Sequence, residues 1–251
     1  MVSQNLWFMP WLSENKFYIW LVLVLIAALL SFGFLPKVRA ELALIAGNYY
    51  FNSYGQGVYD RAKAKKYFEK ALKFDPNVPD AWHQLAGIDF IEGNFYVALN
   101  KINKQIEIHN DSFMASFYVR GLIQGYIGNF SQAEQDFKKF LEWDQRNWAA
   151  WNDLAWIYFM QGDYKKAQVA SLKGLNVDPK NPWLLNSLGV SLLNQNKKAE
   201  ARELFLEAKT YAEKLSEKDW QRAYPGNNPK SSKQGLEKIK KIIASNLELT
   251  N

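Results

Sequence analysis

The spacing of apolar side chains between Trp148 and Asn181 predicts two helices joined by a short turn. The first helix has one apolar face, because its large or small apolar residues recur three and four positions apart, at Trp151, Leu154, Ala155 and Tyr158. Gly162 is suited to end that helix, and Pro179 to stop the second one. The unit predicted for this stretch is therefore helix, turn, helix and stop.

The same pattern recurs every 34 residues along most of the chain. Its turns repeat as Gly93-Asn94-Phe95, Gly128-Asn129-Phe130 and Gly162-Asp163-Tyr164. A looser first copy begins at Ala40, with about five residues inserted around 53–57. Such a period is the signature of stacked helical repeats. The chain is predicted to be an all-α solenoid of five helix-turn-helix repeats, at about 40–78, 79–113, 114–147, 148–181 and 182–215.

At these offsets the chain resembles the tetratricopeptide repeat family. The family pattern has an aromatic residue, Leu, Gly or Ala and Tyr on the first helix, then Ala, an aromatic residue, Ala and Pro on the second. Repeat 4 departs from it at Ser171 and Gly174, and repeat 2 departs at Asp89 and Gln105. The resemblance covers about residues 40–215 and implies a solenoid that binds a protein or peptide partner in its concave groove.

The resemblance also implies which side chains face that groove. They are His83, Gln84, Tyr118, Val119, Leu122, Asn152, Asp153, Trp156, Asn186, Ser187 and Val190, with Phe90, Tyr126, Phe159 and Met160 near the rim. Relatives that bind chaperones hold a terminal carboxylate with cations, but the matching positions here are Leu44, Asn48, Gln84, Ala115 and Val119. We therefore expect recognition of an extended or helical segment by aromatic and Asn side chains. The alternative is that Trp156 and Tyr118 only pack against neighbouring helices.

One long apolar run lies near the N-terminus. Residues 17–35 contain no charged side chain, and as a helix they would reach about 28 Å, close to the thickness of a bilayer's hydrocarbon core. This run predicts a single-pass transmembrane anchor that follows a flank at 1–16, with Trp7, Trp11, Tyr18 and Trp20 as interfacial aromatics. The positive-inside rule leaves the side of the repeats undetermined, because Lys16 and the amino terminus balance Lys37 and Arg39.

Two alternatives to the anchor stay open. Val38-Arg39-Ala40 has the small residues that a signal peptidase favours, so cleavage near Ala40 would give a secreted repeat protein. The run is longer than the usual core of a signal peptide, which opposes that alternative. The other is a helix buried within the repeat domain, but buried helices usually keep a polar face.

The repeat pattern stops after Leu215. Residues 216–251 are predicted to form a loop, rich in Pro, Gly, Asn and Ser at 223–235, and a capping helix. The apolar face of that helix consists of Leu236, Ile239, Ile242, Ile243 and Leu247. A cap is needed because the last repeat would otherwise leave its apolar side in water.

The basic charge of the chain is concentrated at this end. Residues 209–241 carry nine Lys or Arg against four acidic residues, in a chain with a formal net charge of +6. A basic surface that contacts anionic lipid or nucleic acid is therefore a second hypothesis. Since no aromatic residue interleaves with the cations after Tyr224, we favour a solvated face and expect no nucleic-acid partner.

Composition and spacing exclude several kinds of chemistry. The 251 residues contain no Cys, so thiolate metal sites and a Cys nucleophile are excluded. The only histidines, His83 and His109, are predicted on different helices and lack partners at metal-ligand spacing. We predict a protein without enzyme activity, metal or cofactor. Its predicted function is a membrane-anchored interaction scaffold, by fold-level analogy an accessory or assembly factor of an envelope or membrane complex.

Overall fold

The computed structural model describes residues 15–51, 59–223 and 228–251. These residues form twelve α-helices and two short 3-10 helices, at Asn110–Phe113 and Pro229–Ser231, and no strand occurs among them. The α-helices are α1 Lys16–Phe51, α2 Arg61–Phe74, α3 Ala81–Ile91, α4 Phe95–His109, α5 Ala115–Tyr126, α6 Phe130–Trp143, α7 Trp148–Met160, α8 Tyr164–Val177, α9 Pro182–Leu193, α10 Lys198–Ala212, α11 Glu217–Ala223 and α12 Ser232–Glu248. The predicted all-α solenoid is confirmed for this part of the chain.

The helices pack in consecutive pairs, α1 with α2, α3 with α4, and so on to α9 with α10. The second helix of each pair also packs against the first helix of the next pair. In addition, the first helices α3, α5, α7 and α9 contact one another along one face. Each repeat therefore contacts mainly its neighbours, which is how a solenoid buries its core.

Left-handed residues form the turns between paired helices. Gly93, Gly128 and Gly162 have φ values of +80°, +85° and +78°, a region that glycine enters without steric penalty. In the last repeat Asn196 takes this conformation, with φ of 62°. The repeated glycine turn of the sequence is thus confirmed as the element that reverses the chain within repeats 2, 3 and 4.

Repeats 1, 3 and 5 share one packing arrangement, in which a Phe of the second helix lies over a Gly of the first. A Cβ atom at Gly47 would come within 2.4 Å of Phe68, and one at Gly189 within 2.5 Å of Phe205. Repeats 2 and 4 use other pairs at the same places, Ala86 with Ile102 and Ala155 with Ser171. A larger residue on the first helix is thus matched by a smaller one on the second.

The two departures of repeat 2 from the family pattern have a structural explanation. Asp89 is 1% exposed and pairs with Lys65 at 2.9 Å and with Lys101, which lie on α2 and α4. Burial by itself raises the pKa of Asp89, but its hydrogen bonds to Lys101 and Lys65 outweigh burial and lower the pKa overall. Gln105 is fully buried, and its Oε1 accepts a hydrogen bond from the backbone N–H of His83 at 3.3 Å. The two residues therefore link α3 to α2 and α4 through polar contacts.

The N-terminal helix does not end where the sequence suggested. α1 is continuous from Lys16 to Phe51 and contains Pro36, so no break separates residues 17–35 from the repeat that begins at Ala40. One proline removes only one helical hydrogen bond donor, and the helix continues on both sides of it. The half beyond Pro36 packs on α2 through Ala40, Ala43 and Leu44. Residues 17–35 and the first helix of repeat 1 therefore form one continuous helix.

No helix within residues 15–51, 59–223 and 228–251 meets the requirements of length and apolar character for crossing a membrane. The predicted flank with Trp7 and Trp11, like the insertion at 53–57, falls outside the described residues. Large side chains near the start of α1 are nonetheless exposed: Phe17, Tyr18 and Trp20 are 64–73% exposed, and those from Leu21 to Ile26 are 46–55% exposed.

The C-terminal region contains more helix than predicted. Helix α11 lies where no helix was expected, and α12 begins at Ser232 instead of near Leu236. The predicted loop is described only in part, because residues 224–227 fall outside the described ranges. Helix α12 packs on α10, with Ile239 and Ile243 buried in a cluster that includes Leu185. Ile242, predicted for the same buried face, is 40% exposed.

Candidate partner-binding groove

The first helices α3, α5, α7 and α9 line a cavity of about 720 Å³, which we call the inner groove. Ten of the eleven side chains predicted to face a groove line it: His83, Gln84, Tyr118, Val119, Leu122, Asn152, Asp153, Trp156, Asn186 and Ser187. Of the predicted rim residues, Phe90 and Tyr126 also line it, whereas Phe159 and Met160 do not. The 34-residue period thus brings these first-helix residues to one wall, as the resemblance implied.

Val190 is the one predicted groove residue that does not line this cavity. Its side chain packs against the core cluster around Phe205, and Leu247 of α12 packs against the same cluster. Val190 and the C-terminal helix therefore contact the same core cluster of the last repeat. A partner-binding role for Val190 stays a prediction.

Side-chain hydrogen bonds connect each first helix to the next across the floor of the inner groove. Every bond joins two residues that are far apart in sequence: His83 Nδ1 to Ser116 Oγ at 3.1 Å, Tyr118 to Asp153 at 2.7 Å, Ser187 to Asn152 at 2.8 Å and Asn246 to Asn186 at 2.8 Å. The last bond joins α9 to α12. These contacts hold the first helices in a common register, because a shift of one helix would break bonds on both sides.

Burial distinguishes the predicted groove residues from one another. Tyr118 and Asp153 are only 9% and 7% exposed, so they form the floor and bond to each other. For Tyr118 the structure therefore favours the packing alternative over an exposed anchor. Asn152, Asn186 and Ser187 are half-buried, and their amide and hydroxyl groups are within reach of a ligand.

His83 is held as a neutral side chain by its surroundings. Burial lowers the pKa of His83, although the Asp80 carboxylate acts in the opposite direction. A neutral imidazole has one donor and one acceptor nitrogen, which suits its contact with the Ser116 hydroxyl. Its position in the groove wall is therefore that of a hydrogen-bonding residue and not of a cation.

An aromatic row borders the inner groove on one side. The ring of Tyr126 is 5.0 Å from that of Phe90 and 5.4 Å from that of Trp156. Trp156 is half-buried and lies on Gly125, where an added Cβ would come within 2.6 Å of the indole. The side chain of Trp156 is thus packed on one side and lines the cavity on the other. Tyr126 is 58% exposed and offers its ring to a ligand at the rim.

The C-terminal helices supply groove residues that the repeat pattern did not indicate. Trp220 of α11 and Lys238, Ile239 and Ile242 of α12 line the cavity beside Trp183. Trp220 packs closely against Gly235, because a Cβ atom there would come within 2.0 Å of the indole. Lys238 adds a cation to the groove from outside the first helices, whose clamp positions carry none. Gly235 is flanked mostly by polar and charged residues and was predicted to end the loop, so no sequence pattern indicated this contact.

The remaining C-terminal cations are interleaved with carboxylates. Lys240 pairs with Glu213 at 3.4 Å, and the small depression beside them is lined by Lys209 and Lys241 together with Glu237. Such neighbours reduce the local positive potential. Among residues 15–51, 59–223 and 228–251, no three His, Asp or Glu side chains are grouped to hold a metal ion. His83 and His109 lie on α3 and α4, as expected.

Comparison with known sequences and structures points to one repeat family. Profiles of the tetratricopeptide repeat match residues 60–78 and 115–147, residues 137–169 and residues 183–219. Tetratricopeptide repeat protein 6 of Homo sapiens is 26% identical over 142 residues, which are 56% of this chain and 26% of that protein. The chain thus spans about a quarter of the length of this relative.

Solved structures share the fold at low sequence identity. A fragment of MamA from Desulfovibrio magneticus RS-1, from residue 41 to the end, has a TM-score of 0.61 and 17% identity, covering 71% of this chain and 97% of that one. YrrB, described as a TPR protein with an unusual peptide-binding site, has a TM-score of 0.55 and 15% identity, covering 72% of this chain and 91% of that one. At these identities the likeness shows the fold alone.

Proposed function

Because the chain belongs to the tetratricopeptide repeat family, we propose that it is an interaction scaffold whose inner groove binds an extended or helical segment of a protein partner. The observation that carries this proposal is the cavity of about 720 Å³ along the first helices. Its size lies within the range of cavities that bury ligands. A peptide-binding site is also described for the structurally similar YrrB.

The lining of the inner groove indicates the chemistry of that segment. Leu122, Trp156 and Ile242 provide apolar contacts, and the amides of Gln84 and Asn152 provide hydrogen bonds to a peptide backbone. Lys238 adds one cation at the end closed by α12. We therefore propose a segment with large apolar side chains and an acidic group that lies near Lys238.

We further propose that residues 17–35 attach the scaffold to a membrane. The support for this proposal is the apolar surface of α1 from Phe17 to Ile26, since proteins in water seldom leave so long an apolar stretch uncovered. The cleavage alternative is weakened by Ala40, which is fully buried against α2 in the middle of a helix. A scaffold held in this way would suit an accessory or assembly factor of a membrane complex, by fold-level analogy.

Site-specific photocrosslinking of the full-length protein in its native cells tests the groove. A photoreactive phenylalanine analogue at Leu122 or Tyr126 is expected to capture one partner in high yield. The matched control position is Tyr96, which is 72% exposed on α4 and does not line the groove. Equal capture of the same partner from Tyr96 and from the groove positions would contradict the proposal.

A further inference from the structure

A second cavity of about 790 Å³ lies between α6 and α8, above α7. We call it the outer groove, because it is bordered by the second helices of repeats 3 and 4 and shares no lining residue with the inner groove. Its walls include the aliphatic side chains of Leu141, Val169 and Val177. The indole of Trp151 is fixed at this site, since its Nε1 donates a hydrogen bond of 2.9 Å to the backbone oxygen of Gln145.

The outer groove is strongly basic. Five cationic side chains line it, Lys138, Arg146, Lys165, Lys166 and Lys173, against the single carboxylate of Glu142. Lys138 is paired with Glu134 and Lys166 with Asp163. Within the described part of the chain, neither Arg146 nor Lys165 forms an ion pair with a carboxylate, although Lys165 also interacts at longer range with Asp163. The rim therefore carries positive charge that the protein itself does not neutralise.

Charge and apolar surface alternate along α8. Lys165, Val169 and Lys173 are each four residues apart, so they lie on one face of the helix over about 12 Å. Val169 is 53% exposed between the two lysines. A ligand that matches this surface has carboxylates at a similar separation and an aliphatic side chain between them.

Two other anionic ligands match the outer groove less well. A single phosphate headgroup needs cations that converge on one point, whereas these are distributed along a helix and across to Arg146. A single-stranded nucleic acid needs an open aromatic face for base stacking. The Lys173 ammonium lies 4.9 Å from the centre of the Trp151 ring and occupies one of its faces.

We propose that the outer groove is a second docking site, which binds an acidic segment of a protein partner with aliphatic side chains between its carboxylates. This proposal does not depend on the inner groove, because the two cavities have separate walls. Two faces of one scaffold would then hold two different segments, of one partner or of two. The outer groove selects a segment by its negative charge. The inner groove selects mainly for apolar side chains and for groups that hydrogen-bond to side-chain amides.

The test uses full-length protein in phosphatidylcholine nanodiscs and a fluorescein-labelled amphipathic peptide of Glu and Leu, read by fluorescence anisotropy. The double variant Lys165→Glu/Lys173→Glu is expected to weaken binding by about tenfold or more, because two attractive contacts become repulsive. Lys218→Glu/Lys233→Glu is the matched control, since it changes the net charge equally at two exposed lysines outside the groove. The control is expected to bind within about twofold of the unaltered protein.

Three further probes complete the test. A Glu and Ser peptide of the same charge is expected to bind at least about fivefold more weakly, because it lacks aliphatic contacts. Equal binding of that peptide would overturn the proposal, as would equal losses in the two double variants. An oligodeoxythymidine or a phosphatidylglycerol vesicle that binds more tightly than the Glu and Leu peptide, and loses binding in Lys165→Glu/Lys173→Glu, would assign the groove to nucleic acid or lipid instead.

Discussion

Tyr118 donates a hydrogen bond of 2.7 Å to the carboxylate of Asp153, and this bond joins α5 to α7 beneath the inner groove. Both residues are buried. Removing the hydroxyl leaves a buried carboxylate with one donor fewer. Tyr118→Phe is therefore expected to lower the free energy of unfolding by about 1–2 kcal/mol.

Thermal unfolding followed by circular dichroism measures this effect. Tyr126→Phe is the control, because the same atom is removed from a side chain that is 58% exposed. Its expected change is below about 0.5 kcal/mol. Equal melting temperatures for the unaltered protein and Tyr118→Phe would show that the bond does not stabilise the contact between repeats.

The contact of Gly189 with Phe205 predicts that a larger residue at position 189 destabilises the protein. In Gly189→Ala the new Cβ would come within 2.5 Å of Phe205. We therefore expect the free energy of unfolding to fall by about 1–3 kcal/mol. Adding Phe205→Ile reproduces the pair of repeat 2, Ala86 with Ile102, and should recover part of that loss. Denaturant unfolding of the two single variants and the double variant measures the coupling.

Gly87→Ala is the matched control for that experiment. Gly87 lies inside α3, and an added Cβ there has no neighbour closer than 4.0 Å. Because alanine is favoured over glycine in a helix, this variant should be stabilised by about 0.5–1 kcal/mol. A stabilised Gly189→Ala protein would contradict the packing described for Phe205.

The buried carboxylate of Asp89 predicts a dependence of stability on pH. Its pKa is lowered in the folded protein, so its contribution is complete at neutral pH and is lost as the pH falls below about 4. Asp89→Asn is expected to lower the free energy of unfolding by about 1–3 kcal/mol at pH 7. The difference from the unaltered protein should vanish in strong acid, where both side chains are neutral.

Urea unfolding between pH 2 and pH 7, values chosen to bracket the usual carboxyl pKa, tests this expectation. Glu92→Gln is the control, because Glu92 also pairs with Lys65 but its side chain is 33% exposed. Ion pairs of this kind contribute little, so a change below about 1 kcal/mol is expected. If the free energies of unfolding of Asp89→Asn and the unaltered protein differ by the same amount at every pH tested, an electrostatic role for the carboxylate is excluded.

Trp156 is predicted to contribute more to binding than to folding. Trp156→Ala should weaken capture of the partner by about tenfold or more, because an aromatic side chain in the wall of a groove is a typical anchor. It should also lower the melting temperature, since the indole packs on Gly125 and Tyr126.

Leu154→Ala is the comparison for Trp156→Ala, because Leu154 is 2% exposed and lies in the core. We expect the free energy of unfolding of Leu154→Ala to be about 2–5 kcal/mol lower than that of the unaltered protein. The melting temperature should fall further in Leu154→Ala than in Trp156→Ala. Equal destabilisation with unchanged capture by Trp156→Ala would identify the tryptophan as a packing residue only.

Membrane attachment through residues 17–35 predicts that full-length protein stays in the membrane fraction after washes with high salt and with alkaline carbonate. Apolar insertion resists both treatments, whereas an electrostatic contact does not. The control is a chain that starts at Glu41, which should be released. A mature protein whose N-terminus is Glu41 would establish cleavage instead, and protease access in intact cells would identify the side of the repeats.

The sequence by itself determined the repeat architecture and most of the inner groove. A period of 34 residues places Tyr118, Asn152 and Asn186 at equivalent positions of stacked first helices, because helix geometry and nearest-neighbour packing are local properties. The same locality made the glycine turns predictable, since Gly93, Gly128 and Gly162 recur with the period. Ten of the expected groove residues line one cavity for this reason.

Only the tertiary structure decided what joins that wall from elsewhere and what is buried within it. Lys238 and Trp220 enter the inner groove because α11 and α12 fold back over the last repeats, and no periodic pattern encodes that return. Burial of Tyr118 and the pairing of Asp89 with two lysines depend on neighbouring repeats. The outer groove likewise depends on how α6 and α8 pack around α7. The lysines of these two helices form one basic surface only because the fold brings the helices together.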